Sequence, residues 1–188
     1  MSKAVMISIR PGWCEKIASG EKTIEVRKTR PKLQTPFKCY IYCTVERVGY
    51  DALWVLDAPT RKKYSLLAVS AYLENPKGAN KGNGKVIGEF TCDDIYEIDP
   101  TKTIGAGFAE DSCVSSRDIH EYLGGQTGYG WHISGLKIYD EPKELSKFSR
   151  PFENCIDKVC DEFGCASCEN GGHIKRAPQS WCYVEEQK

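Results

Sequence analysis

Apolar positions recur along this chain with two different periods, and the switches between them mark the elements. Val5, Ile7 and Ile9 alternate with other residues and predict a strand over residues 3–9, with Arg10 at its end. Pro11 suits a first helical turn. The helix it opens runs to Ser19, with Trp13, Cys14 and Ile17 on the buried face and Gly20 as its stop. A second strand is expected over about Thr23–Lys28. Its two-residue period puts Thr23, Glu25 and Arg27 on one face and Ile24 and Val26 on the other. The aliphatic pair is expected in the core, and the polar face lines whatever lies on the open side. Pro31 and Pro36 argue against regular structure over residues 29–36. Phe37–Thr44 is apolar on both faces and reads as a central strand.

Periodicity is weaker over residues 45–84. Tyr50–Leu56 fits a short strand or a helical turn, Tyr64–Leu73 has helical spacing, and Asn75–Gly84 reads as a long loop, either a lid or decoration. Lys85–Cys92 is a strand that continues through a bend to Ile98. Residues 99–114 read as loop. Ser115 or Ser116 caps a helix over Arg117–Leu123, with Asp118 in its first turn and Gly124-Gly125 after it. Tyr129–Tyr139 reads as one long strand bent at Gly135. A short segment follows from Pro142 to near Pro151, and Ala177–Val184 reads as a closing strand. Strands and helices do not alternate as in a doubly wound fold, and no glycine-rich phosphate loop follows a strand. The pattern favours an α+β chain: a curved mixed or antiparallel sheet with helices at its ends.

The 188 residues allow one domain with a small appendage, here 1–150 followed by a cysteine-rich extension over 151–188. Formal net charge is zero. The charge is nevertheless uneven: residues 1–38 carry nine Lys or Arg against three Glu, a net of +6, so the remainder carries −6. A basic region of this kind binds phosphate or nucleotide, or is simply a solvated face. No apolar run is long enough to span a membrane, and the start is too short and alternating for a signal peptide. A cytoplasmic protein is expected, with no membrane partner.

Ten cysteines then need a reason other than a disulfide framework. Cys39, Cys43 and Cys92 fall on strands and suit a core. Cys155, Cys160, Cys165 and Cys168 crowd together, the last two as a C-x-x-C pair among glycines. Four thiolates suit a tetrahedral structural zinc, with His173 in reserve if only three bind. An iron–sulfur cluster and free or oxidised thiols are the alternatives.

The stretch Gly20–Arg27 places an amine, a hydroxyl, a carboxylate and a guanidinium beside a helix end. Together with Ile7-Ser8-Ile9-Arg10-Pro11, the helix Trp13–Ser19, the strand Gly88–Cys92 and Tyr129–Ile133, it resembles an ASCH domain over roughly residues 3–140. The tail Pro178–Tyr183 resembles phage and prophage members of that family. The resemblance implies a PUA-like fold, a small β-barrel flanked by helices, and a role in binding or acting on RNA or nucleotides. Small relatives hydrolyse a modified nucleoside with a lysine, a threonine and a glutamate. Lys22 matches that lysine, Glu25 stands where the threonine is expected, Thr23 follows the lysine, and Glu121 is the nearest match to the glutamate.

The residues present support a binding reading: Lys22 and Arg27 hold a phosphate or carbonyl oxygen, Arg10 and Lys28 add charge at the rim, and Glu25 meets a base edge. Trp13, Tyr129 or Trp131 would stack a base, with His132 beside them. An RNA- or nucleotide-binding protein is the first expectation. A hydrolase using Lys22, Thr23, Glu25 and Glu121, amidohydrolase or ribonuclease, is the second, and a phage accessory module that binds protein is the third. For the tail, elemental analysis of the purified protein is expected to find about one zinc per chain. A folded, metal-free protein would refute this.

Overall fold

β1 (Lys3–Ile9) is apolar and buried on both faces, and the other elements are laid around it. The computed structural model describes residues 2–45, 84–151 and 172–187. The expectations for Tyr50–Leu56, Tyr64–Leu73 and most of Asn75–Gly84 lie outside these residues, as do Cys155, Cys160, Cys165 and Cys168.

β1 pairs on both edges. It runs parallel to β3 (Phe37–Cys43) and antiparallel to β8 (Trp181–Glu185). A parallel pair needs a crossover. Here it contains α1 (Pro11–Ala18) and β2 (Ile24–Arg27). β4 (Val86–Cys92) and β7 (Ser134–Lys143) complete a five-stranded sheet in the order β7-β4-β3-β1-β8. A second sheet has the order β2-β6-β5, with β5 at Ile95–Ile98 and β6 at Gly128–His132.

The small β-barrel expected from the resemblance is found as two sheets that do not close on each other. Among the described residues there are two open sheets, because β7 and β8 form the two edges of the larger one and do not pair with each other. Two predicted single strands are each divided at a corner. The chain leaves the larger sheet after Cys92, and His132 N–H donates to the Asp94 carbonyl at that turn, 3.0 Å. It returns at Ile133, whose N–H donates to the Thr23 carbonyl, 2.8 Å. Gly135, at φ +54°, provides the backbone freedom this return requires.

Alternation along β1 explains two separate cores. Val5, Ile7 and Ile9 face one built with α1, Phe37, Cys39, Ile41, Phe90 and Trp131. Ala4 and Met6 face another, built with Tyr40, Val86, Phe148, Ile174 and Val184. Cys14, Cys39 and Cys92 belong to the first core. Burial pushes the Cys39 thiol well up and that of Cys92 up to about 12, while a hydrogen bond with Cys43, then burial, raises Cys14. At neutral pH these are protonated, inert packing groups.

A helix, α2 (Ala106–Ser112), occupies part of the stretch expected as loop. Its glycines and small residues hide it, and tertiary packing supports it instead: Phe108 lies against Gly130, where an added Cβ would stand 2.6 Å from the phenyl ring. α3 (Ser116–Leu123) follows, with the Ser115 hydroxyl accepting from the Asp118 N–H at 3.1 Å. Ile119 and Leu123 of α3 join Ile98, Val26 and Phe108 in a third apolar cluster on the second sheet. No helix among the described residues is long and apolar enough to cross a membrane.

Candidate functional site

β2 carries its charges inward. Glu25 lies opposite Trp131 on β6, and Arg27 lies opposite Tyr129. Cross-strand partners share a face, and both aromatics pack on the first core. Glu25 and Arg27 therefore face the space between the sheets, while Val26 turns to the helices. This corrects the expectation that β2 presents Glu25 and Arg27 on an open side: they are only 7% and 8% exposed.

Gly20, at φ +80°, turns the chain after α1, and the Lys22 N–H donates back to the Lys16 carbonyl at 3.0 Å. The Lys22 side chain is thereby carried inward and left 2% exposed. Its ammonium donates to the carbonyls of Ile24 (2.8 Å) and Ser112 (2.6 Å) and pairs with Glu25 Oε2 at 3.3 Å. Those contacts occupy its three N–H directions. Ser112 ends α2, so the cation also sits where the helix carbonyls favour positive charge. The Trp13 ring lies 5.0 Å from Nζ.

Glu25 Oε1 stands 3.0 Å from Arg27 Nη2, which also donates to the Ser8 carbonyl at 2.6 Å. Arg27 Nη1 reaches the Ser180 hydroxyl at 3.4 Å. Arg27 Nε is buried without a hydrogen-bond partner among the described residues. Glu25 thus bridges two cations, one through each oxygen. Removing ions from water costs several kcal/mol each, and the shared carboxylate offsets part of that.

The network floors a cleft of about 500 Å³. Ile9, Val26, Val114 and Ile119 give it apolar wall, Trp13 and Tyr122 give it aromatic wall, and Arg10, Asp118, Thr44 and Gln179 supply further polar groups. Three cationic and two anionic side chains line it, so the cleft is net positive.

The structure brings Arg10, Trp13, Lys22, Glu25 and Arg27 together here. Lys28 stands beyond the lining, with Nζ 5.1 Å from the centroid of the Tyr122 ring. Thr23 does not line the cleft; its backbone N–H donates to the Asp111 carbonyl. Glu121 is exposed on α3 and points elsewhere, whereas Asp118 and Tyr122 of the same helix line the cleft. Trp131 is fully buried between Phe37 and Trp181, with ring centroids at 6.0 and 5.9 Å, and has no open face for a base. Tyr129 packs on the core beneath Arg30. His132 Nδ1–H donates to the Asp93 carboxylate at 2.6 Å, at the corner between the sheets. His173 is paired with Ser149. Among the described residues no group of three His, Cys, Asp or Glu could hold a metal.

Tyr122, Asp118 and Gln179 escaped the sequence reading. Asp118 and Tyr122 are four apart on one helix face, a spacing that was available. Gln179 falls in the segment expected only as a closing strand, and the fold brings that segment against β1.

No protein-family model matches the chain, and no curated protein matches it. Solved structures do. A crystal structure of a serine-to-alanine mutant of ZmASCH from Zymomonas mobilis superposes with a TM-score of 0.56 at 16% identity, covering 97% of this chain and 89% of that one. The chain has the ASCH fold. The structure of ZmASCH without that substitution gives a TM-score of 0.49 at 18% identity, over 76% of this chain and 73% of that one. At such identity the ASCH likeness concerns fold alone, and the cleft must be judged on its own residues.

Glu25→Ala would leave two buried cations without their counter-charge. It is expected to lower the unfolding free energy by about 3–5 kcal/mol in denaturant titration. A loss below about 1 kcal/mol would show that the pairings contribute no more than exposed ones.

Proposed function

We propose that the cleft binds a nucleotide, free or at the end of an RNA strand, and that it works by binding rather than by hydrolysis. One observation carries this reading: a net-positive, buried Lys22–Glu25–Arg27 network floors a cleft walled by Trp13 and Tyr122. The chemistry is suited to such a ligand. Aromatic and aliphatic walls accept a base, and Arg10, exposed and with no described hydrogen bond or ion pair of its side chain, meets a phosphate. The volume is within the usual range for small-molecule sites. The ASCH fold agrees with this reading without deciding it.

The committed donors argue against a hydrolytic role. Lys22 would have to abandon two carbonyls and a carboxylate before it could attack or shuttle a proton. Both oxygens of Glu25 are already engaged by cations. Thr23 and Glu121 lie outside the cleft, so the four residues expected for hydrolysis do not form one constellation.

Calorimetric titration at low salt is expected to detect binding of mononucleotides and short single-stranded RNA that weakens as salt rises. Tyr122→Ala is expected to cost about 1–3 kcal/mol of affinity through lost stacking, and Arg10→Ala to lower the salt slope by about one phosphate contact. Absence of any binding at low salt would overturn the reading.

A further inference from the structure

We infer that Gln179 is a specificity-determining residue of this cleft, reading the hydrogen-bonding edge of the base. The inference depends on the nucleotide-binding reading above and extends it to base selection.

The chain around Gln179 is clamped on both sides to β1. The Ser8 hydroxyl donates to the Pro178 carbonyl at 2.6 Å, and the Ser8 N–H donates to the Ser180 carbonyl at 2.9 Å. The Ser180 hydroxyl in turn meets Arg27 Nη1 at 3.4 Å, so the segment is tied to the charged floor as well. Between these anchors Gln179 lines the cleft, is exposed, and has no described hydrogen-bond partner. The result is an uncommitted amide on a fixed backbone, at the mouth of a site whose other polar groups are largely spent.

The contrast with the floor defines the role. Lys22 and Glu25 are held by one another and by backbone carbonyls, so they supply field rather than selective contacts. Trp13 and Tyr122 offer ring faces, which accept any base. Asp118 is partly engaged, accepting from the Ser115 hydroxyl at 2.7 Å. A primary amide has one acceptor and two donors side by side. That pairing matches the adjacent donor and acceptor on a nucleobase edge, and it is the group that tells one base from another. The chemical class recognised is therefore a nucleobase edge presented by a ligand whose phosphate lies toward Arg10.

The test uses the full chain with AMP, CMP, GMP and UMP as separate probes, titrated calorimetrically at low salt. The wild-type protein is expected to bind the four unequally. Gln179→Ala is expected to lower affinity for the preferred nucleotide roughly tenfold and to level the series. Gln179→Glu, which can only accept, is expected to move the preference toward AMP, CMP and GMP, whose edges present amino donors, and away from UMP. The substituted side chain has no partner among the described residues, so both variants should unfold at the wild-type temperature. A wild type that binds all four equally, or a Gln179→Ala variant with an unchanged preference, would overturn this inference alone. A wild type that binds none would overturn the nucleotide-binding reading and this inference with it.

Discussion

One carboxylate between two buried cations is the constraint on which the site depends. Glu25 holds Lys22 through one oxygen and Arg27 through the other. Each cation then reaches a different element: Lys22 the Ser112 carbonyl at the end of α2, and Arg27 the Ser8 carbonyl on β1 and the Ser180 hydroxyl before β8. Three separate parts of the chain are thereby tied to β2. A buried ion network of this size contributes little net stability, because desolvation cancels most of the attraction. What it supplies is a fixed, net-positive floor between two sheets.

The sheets explain why the network has a place to sit. β1 spends its whole surface on packing, with both edges paired and both faces covered. β2 is an edge of the second sheet, and it borders the cleft together with α1 and α3. Corners at Cys92–Ile95 and at Ile133 let the chain serve both sheets.

Much of the fold was legible in the periodicity. β1, α1, β3 and α3 follow from alternation, a well-placed proline, a run apolar on both faces and a serine cap, and they are found within a residue or so of expectation. α2 was not legible, because Gly105 and Gly107 weaken its propensity and its support comes from Phe108 packing on a distant glycine. The two strand corners were not legible either: a bend within one strand and a passage between sheets have the same local pattern. Of the site, the Lys22–Glu25–Arg27 cluster was readable because its members are close in sequence. Its buried, inward direction was not, since a two-residue period separates the faces of a strand without saying which one is enclosed. Tyr122 and Gln179 reach the cleft through tertiary structure. Trp131, an attractive stacking candidate by type, proved to be core for the same reason.

Nitrogen-resolved NMR during titration with a mononucleotide would test the central claim most directly. If the charged floor is the binding surface, saturating shifts should concentrate on the Arg27 Nε–H, the Trp13 indole N–H and the backbone of Ser8 and Gln179, with little change in β7 or at the His132–Asp93 corner. Shifts confined to residues away from the cleft, or none at all, would contradict it.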